Sequence, residues 1–192
     1  MLLISCAKQD NTIDLPIVSE FCIHQNIKLG QNCDRLLENS SIHYDESCEC
    51  YYTKDGIQYF KHVTIECTGD IVTDIQFYGL KSKTDSLYTQ DNIEILKTCI
   101  ELLGDSYKIL EYTSEFHTSV TPVLQWDISS NVIVSLLIST EDILDIRRSQ
   151  KANIIKLTTL SIYKKTDGKN EKTYSESDYW TKESLIMPLI NK

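Results

Sequence analysis

Glycine is scarce in this chain: six in 192 residues, never clustered. A loop that cradles phosphates through its backbone needs several glycines within a few positions, so phosphate-binding loops of that kind are excluded. Positive charge is also short. Nineteen Lys and Arg stand against 28 Asp and Glu, a net charge of −9, which argues against a basic face for nucleic acid or anionic lipid. An acidic surface suits solubility, and equally a basic protein partner. No apolar run approaches the roughly 20 residues of a membrane span. Nucleophile signatures such as G-x-S-x-G are missing, and so are the C-x2–4-C knuckles of structural zinc. No metal, cofactor or enzymatic activity is therefore expected. What the chain does have is 41% apolar and 9% aromatic residues, enough to build one cored domain.

Its first residues are Met1-Leu2-Leu3-Ile4-Ser5-Cys6-Ala7, with polar sequence from Lys8 onward. An apolar run, a small residue and then Cys resembles the lipobox of bacterial envelope lipoproteins, read here as the tail of a signal that begins upstream. The resemblance implies acylation at Cys6, with three chains exceeding the two-signal requirement for stable anchoring. Ala7 is similar to the residue after the Cys in lipoproteins sorted to the outer membrane. The body would then work in an extracytoplasmic space, lipid-anchored to the cell envelope. Residues 1–16 read as lipobox remnant and tether, and 17–192 as one domain.

Six cysteines remain: Cys22, Cys33, Cys48, Cys50, Cys67 and Cys99. Three disulfides would allow 15 connectivities, and one or two bridges are expected, with the other thiols buried. Cys48-Glu49-Cys50 on a strand would present both thiols on one face, where bonding to each other is geometrically poor. Each should then seek another partner. Cys22-Ile23-His24 and Cys48-Glu49-Cys50 on adjacent strands offer four N/S ligands, but a disulfide between the two pairs is the better reading.

Hydrophobic periodicity gives the elements. Ile17 to Ile23 reads as a strand. Cys33, Leu36 and Leu37 lie at helical spacing behind a cap at Gln31 or Asn32. A meander follows: a strand from Cys48 to Lys54, an Asp55-Gly56 hairpin signal, and a strand from Ile57 to Cys67. The turn Thr68-Gly69-Asp70 then leads to Ile71–Tyr78. Alternation puts Ile57, Tyr59, Val63, Ile65 and Cys67 inward, with Ile71, Ile75 and Phe77. Asp91 to Leu103 is the best helix, capped by Asp91 or Asn92 and stopped by Gly104. A second meander covers Tyr107–Tyr112, Pro122–Ile128 and Asn131–Ser139. Glu141 to Gln150 reads as a charged loop or helical turn, and Asn153 to Tyr163 as a last strand. A polar tail follows, with an apolar anchor at Leu185, Ile186, Met187, Leu189 and Ile190.

The fold class expected is α+β: tandem helix plus antiparallel β-meander units, about 27–80 and 90–164, forming a curved sheet with the helices on one face. Ile27-Lys28-Leu29-Gly30 before a short helix, and Leu102-Leu103-Gly104-Asp105 before a strand carrying Trp126, resemble a known pattern. It is the helix-plus-meander repeat of the β-lactamase-inhibitor-protein fold and of the small lipoprotein of the outer-membrane assembly machine. That resemblance implies protein binding without catalysis.

The candidate site is the outward face of the meanders: Phe60, His62, Glu66, Asp74, Gln76 and Tyr78, with Gln125 and Asp127, and Tyr51 or Tyr52 at the edge. Aromatic groups set among polar ones on a rigid sheet have the composition of a protein interface. Equally weighted is a bland alternative in which the apolar C-terminal tail covers Phe60 and Tyr78. His62 and His117 read as solvated or interface residues. Asp45/Glu46 and Glu141/Asp142 read as solvated loop carboxylates. The functions expected are an immunity or inhibitor protein that neutralises a toxin or hydrolase through a basic protein partner; a structural subunit of an outer-membrane complex; or a surface glycan-binding accessory, which only two Trp make less attractive.

Overall fold

The structure is a computed structural model. It describes residues 12–22, 26–79, 89–113, 120–144, 153–165 and 174–187, the side chains of 139–144 and 153–157 excepted. Large antiparallel β-sheet dominates, and the helices are minor. The α+β expectation holds to that extent. Its strands are β1 (His43–Asp45), β2 (Cys50–Thr53), β3 (Phe60–Thr68), β4 (Ile71–Gly79), β5 (Lys108–Thr113), β6 (Val120–Ser129), β7 (Val132–Leu144), β8 (Asn153–Lys164) and β9 (Ser175–Glu176). They form a single sheet in the order β1-β2-β3-β4-β8-β7-β6-β5-β9. Two runs of four hairpin-linked strands thus join where β4 meets β8.

Ile17 to Phe21, expected to open a strand, is helical, and Ile23 lies outside the described residues. Pro16 opens α1 (Pro16–Phe21), which buries Ile17, Val18 and Phe21. Proline presets φ for the first helical turn, and those three residues share a helical face; a helix this short owes its stability to packing. Upstream, Ile13 bridges Leu29 and Leu15 is buried. A 3-10 helix, Cys33–Glu38, follows with Asn32 as its cap; the Asn32 side chain accepts from the Asp34 N–H. Cys33 and Leu36 face the core, whereas Leu37 is exposed.

The best helix, α2 (Gln90–Leu103), begins a little earlier than expected. Thr89, not Asp91 or Asn92, caps it by accepting from the Asn92 N–H, and Gly104 ends it at φ 84°. Asn92 is instead buried, and its side-chain oxygen accepts from the Thr158 hydroxyl at 2.6 Å. Glu141–Leu144 is strand rather than loop, since β7 continues through it, paired with Asn153 to Lys156 of β8.

Cross-strand register aligns the core in rows. Ile65, Ile75, Ile162, Val134 and Trp126 form one, and Val63, Phe77, Leu160, Leu136 and Leu124 the next. Buried residues of α1, the 3-10 helix and α2 join these rows in one cluster. Burying a helix stripe and a sheet face against each other is what removes both from water.

Two bulges revise the expected inside and outside. Phe60 opposes Gly79 and His62 opposes Tyr78, so Lys61 is an extra residue in β3. It turns Phe60 inward, against Phe21 at 5.1 Å and Phe77 at 5.4 Å between ring centres. Glu66 opposes Asp74 but Cys67 opposes Val72, which makes Thr73 the extra residue of β4. Val72 is therefore buried, and Ile71, expected inward, is 43% exposed. A bulge shifts the period-2 alternation by one position.

Cys33 bonds Cys67, tying the 3-10 helix to β3, and Cys48 bonds Cys50. The second pairing corrects the expectation that these two thiols look elsewhere. Cys48 is in the turn between β1 and β2, not in a strand. There the Asp45 carboxylate accepts from the Ser47 N–H and hydroxyl, and Glu49 is left-handed at φ 53°. Cys22 and Cys99 are buried free thiols, so no bridge links Cys22 to that pair; His24 lies outside the described residues.

Candidate functional site

On the sheet face opposite the main core, register again sets side chains in rows. One runs His43, Tyr52, Thr64, Gln76, Ser161, Ser135, Gln125, Lys108. A second runs Glu66, Asp74, Tyr163, Ile133, Asp127. The third is His62, Tyr78, Thr159, Leu137, Val123. His62, Glu66, Asp74, Gln76, Tyr78, Gln125 and Asp127 therefore share one face. Phe60 does not, for the reason given by its bulge. Tyr52 belongs to this face, and Tyr51, paired with Ile65, belongs to the other.

The face has two accessible ends and a covered middle. At the centre Ser135, Ser161, Tyr163 and Ile133 are buried, and the Tyr174 hydroxyl lies 3.5 Å from that of Ser135. Burial is the main reason that the Tyr174 phenol is pushed well above its ordinary range. Three strand spacings separate β4 from β6, about 14 Å, so the two ends are distinct patches.

At the β3–β4 end the polar side chains are linked. Tyr78 donates to Gln76 at 2.8 Å, and Gln76 donates to Glu66 at 3.4 Å. His62 stacks on Tyr78 with ring centres 4.7 Å apart. Towards the edge, His43 and Tyr52 are in ring contact, and the Lys54 ammonium lies 5.6 Å from the Tyr52 ring centre. Asp74 is 6% exposed and sits under this patch rather than on it. The β6 end is ionic. Lys108 donates to Asp127 at 2.7 Å, with Lys165 at 3.9 Å and the Gln125 amide at 3.3 Å. The hydrogen bond from Lys108 leads the effects that hold the Asp127 carboxyl below its usual range.

The described part of the C-terminal tail follows the β5 edge and the main core. Ser175–Glu176 pairs with the edge of β5, and beyond it Leu185 and Ile186 are buried in the main core cluster, with Trp180 packed against it. Met187 is exposed, while Leu189 and Ile190 lie outside the described residues, as do Cys6 and His117. Sequence reasoning missed His43, Lys108, Lys165 and Tyr174 as members or neighbours of the face. Alternation along β5 would have found Lys108. Nothing local marks Tyr174, whose position depends on the path of the tail.

A separate cleft of about 620 Å³ is lined by Lys28, Gln31, Arg35 and Asn39 among others. Three of these are engaged locally: Lys28 pairs with Asp14 at 2.8 Å, and the Gln31 and Asn39 side chains accept from the backbone N–H of Lys28 and Ser41. Among the described residues no cluster of His, Cys, Asp and Glu is arranged to hold a metal ion, and no helix is long and apolar enough to cross a membrane. Comparison with protein-family models, with curated proteins and with solved structures found no match.

Proposed function

We propose that this chain is a non-enzymatic protein-binding module of the bacterial envelope, anchored through an acylated Cys6, and that it neutralises a basic toxin or hydrolase as an immunity or inhibitor protein. The observation that carries the reading is the shared face of His62, Glu66, Gln76 and Tyr78, a linked cluster of aromatic, amide and acidic groups on a rigid sheet. Such a surface combines low entropy cost in the aromatic rings with a negative group for orientation. The net charge of −9 supports a basic partner. The tandem helix–meander reading, two helix-led halves of a curved sheet, belongs to the same proposal; the two runs of four strands support it.

The test is capture from an envelope extract of the native host, comparing the native chain with Glu66→Lys and Tyr78→Ala. A single basic protein is expected, bound at least tenfold more weakly by either variant. Capture of an abundant envelope protein unaffected by both substitutions would favour an assembly subunit. Binding of an oligosaccharide and no protein would refute both. Mass spectrometry of the chain from its host checks the anchor: an unmodified Cys6 thiol removes the envelope part of the proposal.

A further inference from the structure

We infer that the Cys48–Cys50 bridge is a reversible thiol-exchange site, at which an external thiol of the glutathione class attacks the exposed sulfur of Cys48. The two bridges among the described residues differ in exposure and in the length of chain they close. Cys33 is 5% exposed and half-buried Cys67 packs against the core, and their bond closes 34 positions of chain around it. Cys48–Cys50 closes only two. Chain-entropy stabilisation grows with the logarithm of loop length, so the short bridge adds the least to the fold. Its location is also accessible. Cys48 is exposed, in a four-residue turn that connects β1 to β2 at the end of the sheet order, whereas Cys50 is buried at 7%.

A second observation concerns the backbone. Glu49, the one residue inside the ring, is left-handed at φ 53°, a conformation that a non-glycine residue adopts at a cost. Opening the ring frees Glu49 to leave it, so the turn favours the open form more than a relaxed turn would. Neither Cys22 nor Cys99 competes with the external thiol as the attacking nucleophile: both are buried, burial pushes the Cys22 thiol up to about 12 and that of Cys99 further, and exchange proceeds through thiolates.

The exchange balances in two steps. A thiolate RS⁻ attacks Cys48 Sγ, forming RS–S–Cys48 and releasing the Cys50 thiolate, which takes a proton. A second RS⁻ attacks the outer sulfur, forming RS–SR and releasing the Cys48 thiolate. Two electrons pass from the external thiols to the bridge, and oxidised RS–SR reverses both steps. Cys50 and Tyr52 alternate onto the same side of β2, and Tyr52 is in the row of His43, Thr64 and Gln76. Opening the bridge therefore loosens the turn beside that face. The chemistry stands whether or not the face binds a partner.

The experiment places the folded full-length chain in glutathione buffers of increasing reducing strength, with alkylation and peptide mapping to assign each thiol by position. Cys48 and Cys50 are expected to become alkylated at a glutathione concentration at least tenfold below that needed for Cys33 and Cys67, with Trp fluorescence unchanged. Cys50→Ser should form a mixed disulfide at Cys48 with oxidised glutathione, and Cys48→Ser should leave Cys50 at least tenfold less reactive. Opening of both bridges together, or opening of the short bridge only with loss of the folded fluorescence, would overturn the inference. Equal reactivity in the two serine variants would overturn the role given to Cys48.

Discussion

The indole Nε1 of Trp126 donates to the carbonyl oxygen of Gly104 at 2.9 Å, across 22 positions of sequence. One bond thus fixes the end of α2 against the middle of β6. Trp126 is 1% exposed, so its ring fills the space between helix and sheet while its single donor satisfies an orphan carbonyl at the helix end. Replacing it by Phe should remove that bond and leave a void. Together these should cost about 2–3 kcal/mol, read as a lower urea midpoint with an unchanged slope.

Gly79 tests how closely β4 and β8 approach. A Cβ built there would lie 2.8 Å from the backbone oxygen of Thr158, which cannot swing aside as a long side chain would. Gly79→Ala should therefore destabilise by about 1–3 kcal/mol through strain. The same substitution at Gly69 meets no atom within 4 Å and is strained only by its φ of +61°. Thermal unfolding of the two variants separates contact from backbone conformation.

Removing the Cys33–Cys67 bridge releases 34 positions of chain. The paired substitution to serine should lower stability by about 3–4 kcal/mol on loop-closure grounds. Removing Cys48–Cys50 in the same way should cost much less. Urea unfolding of the two double variants, each compared with the native chain, checks the ordering.

Asp127 should contribute a pH-dependent increment. Its folded pKa is lowered, chiefly by the Lys108 hydrogen bond. The contribution is thus fully present above the unfolded value of about 3.9 and fades as pH falls through the lower folded value. The pair is part-exposed, so the gain should stay below about 1 kcal/mol and shrink with salt. Asp127→Asn should be less stable than the native chain at pH 7 and equal to it near pH 2. A difference that persists at pH 2 would mean that packing, not charge, is responsible.

Tyr174 shifts the other way. Burial raises its pKa, so its phenol is neutral when folded and ionises more readily when unfolded. Stability is complete below the unfolded value of about 10 and declines as pH rises beyond it. Tyr174→Phe should flatten that alkaline decline, measured by urea midpoints between pH 9 and 11.

Much of the fold was legible because local rules act within a few residues. The stripe of Ile93 and Leu96 with Gly104 beyond it located α2, and alternation located β3, β4, β6 and β8. Seven of the eight candidate site residues share the expected face for the same reason. Phe60 failed because a bulge is one extra residue, invisible to a pattern of period 2 that looks unbroken. The Cys48–Cys50 pairing failed because Asp45 and Ser47 turn the chain where an extended strand was expected. The cover over the middle of the face depends on Tyr174, ten residues beyond the end of β8.

Periodicity, capping and turn chemistry were written in the amino-acid order, since each depends on neighbours three or four positions away. Tertiary structure alone decided the junction of β4 with β8, the shift of Phe60 and Val72 at the bulges, and which cysteines met. Those outcomes depend on packing between segments tens of residues apart, where the free energy of burying a whole face outweighs the preference of any one residue.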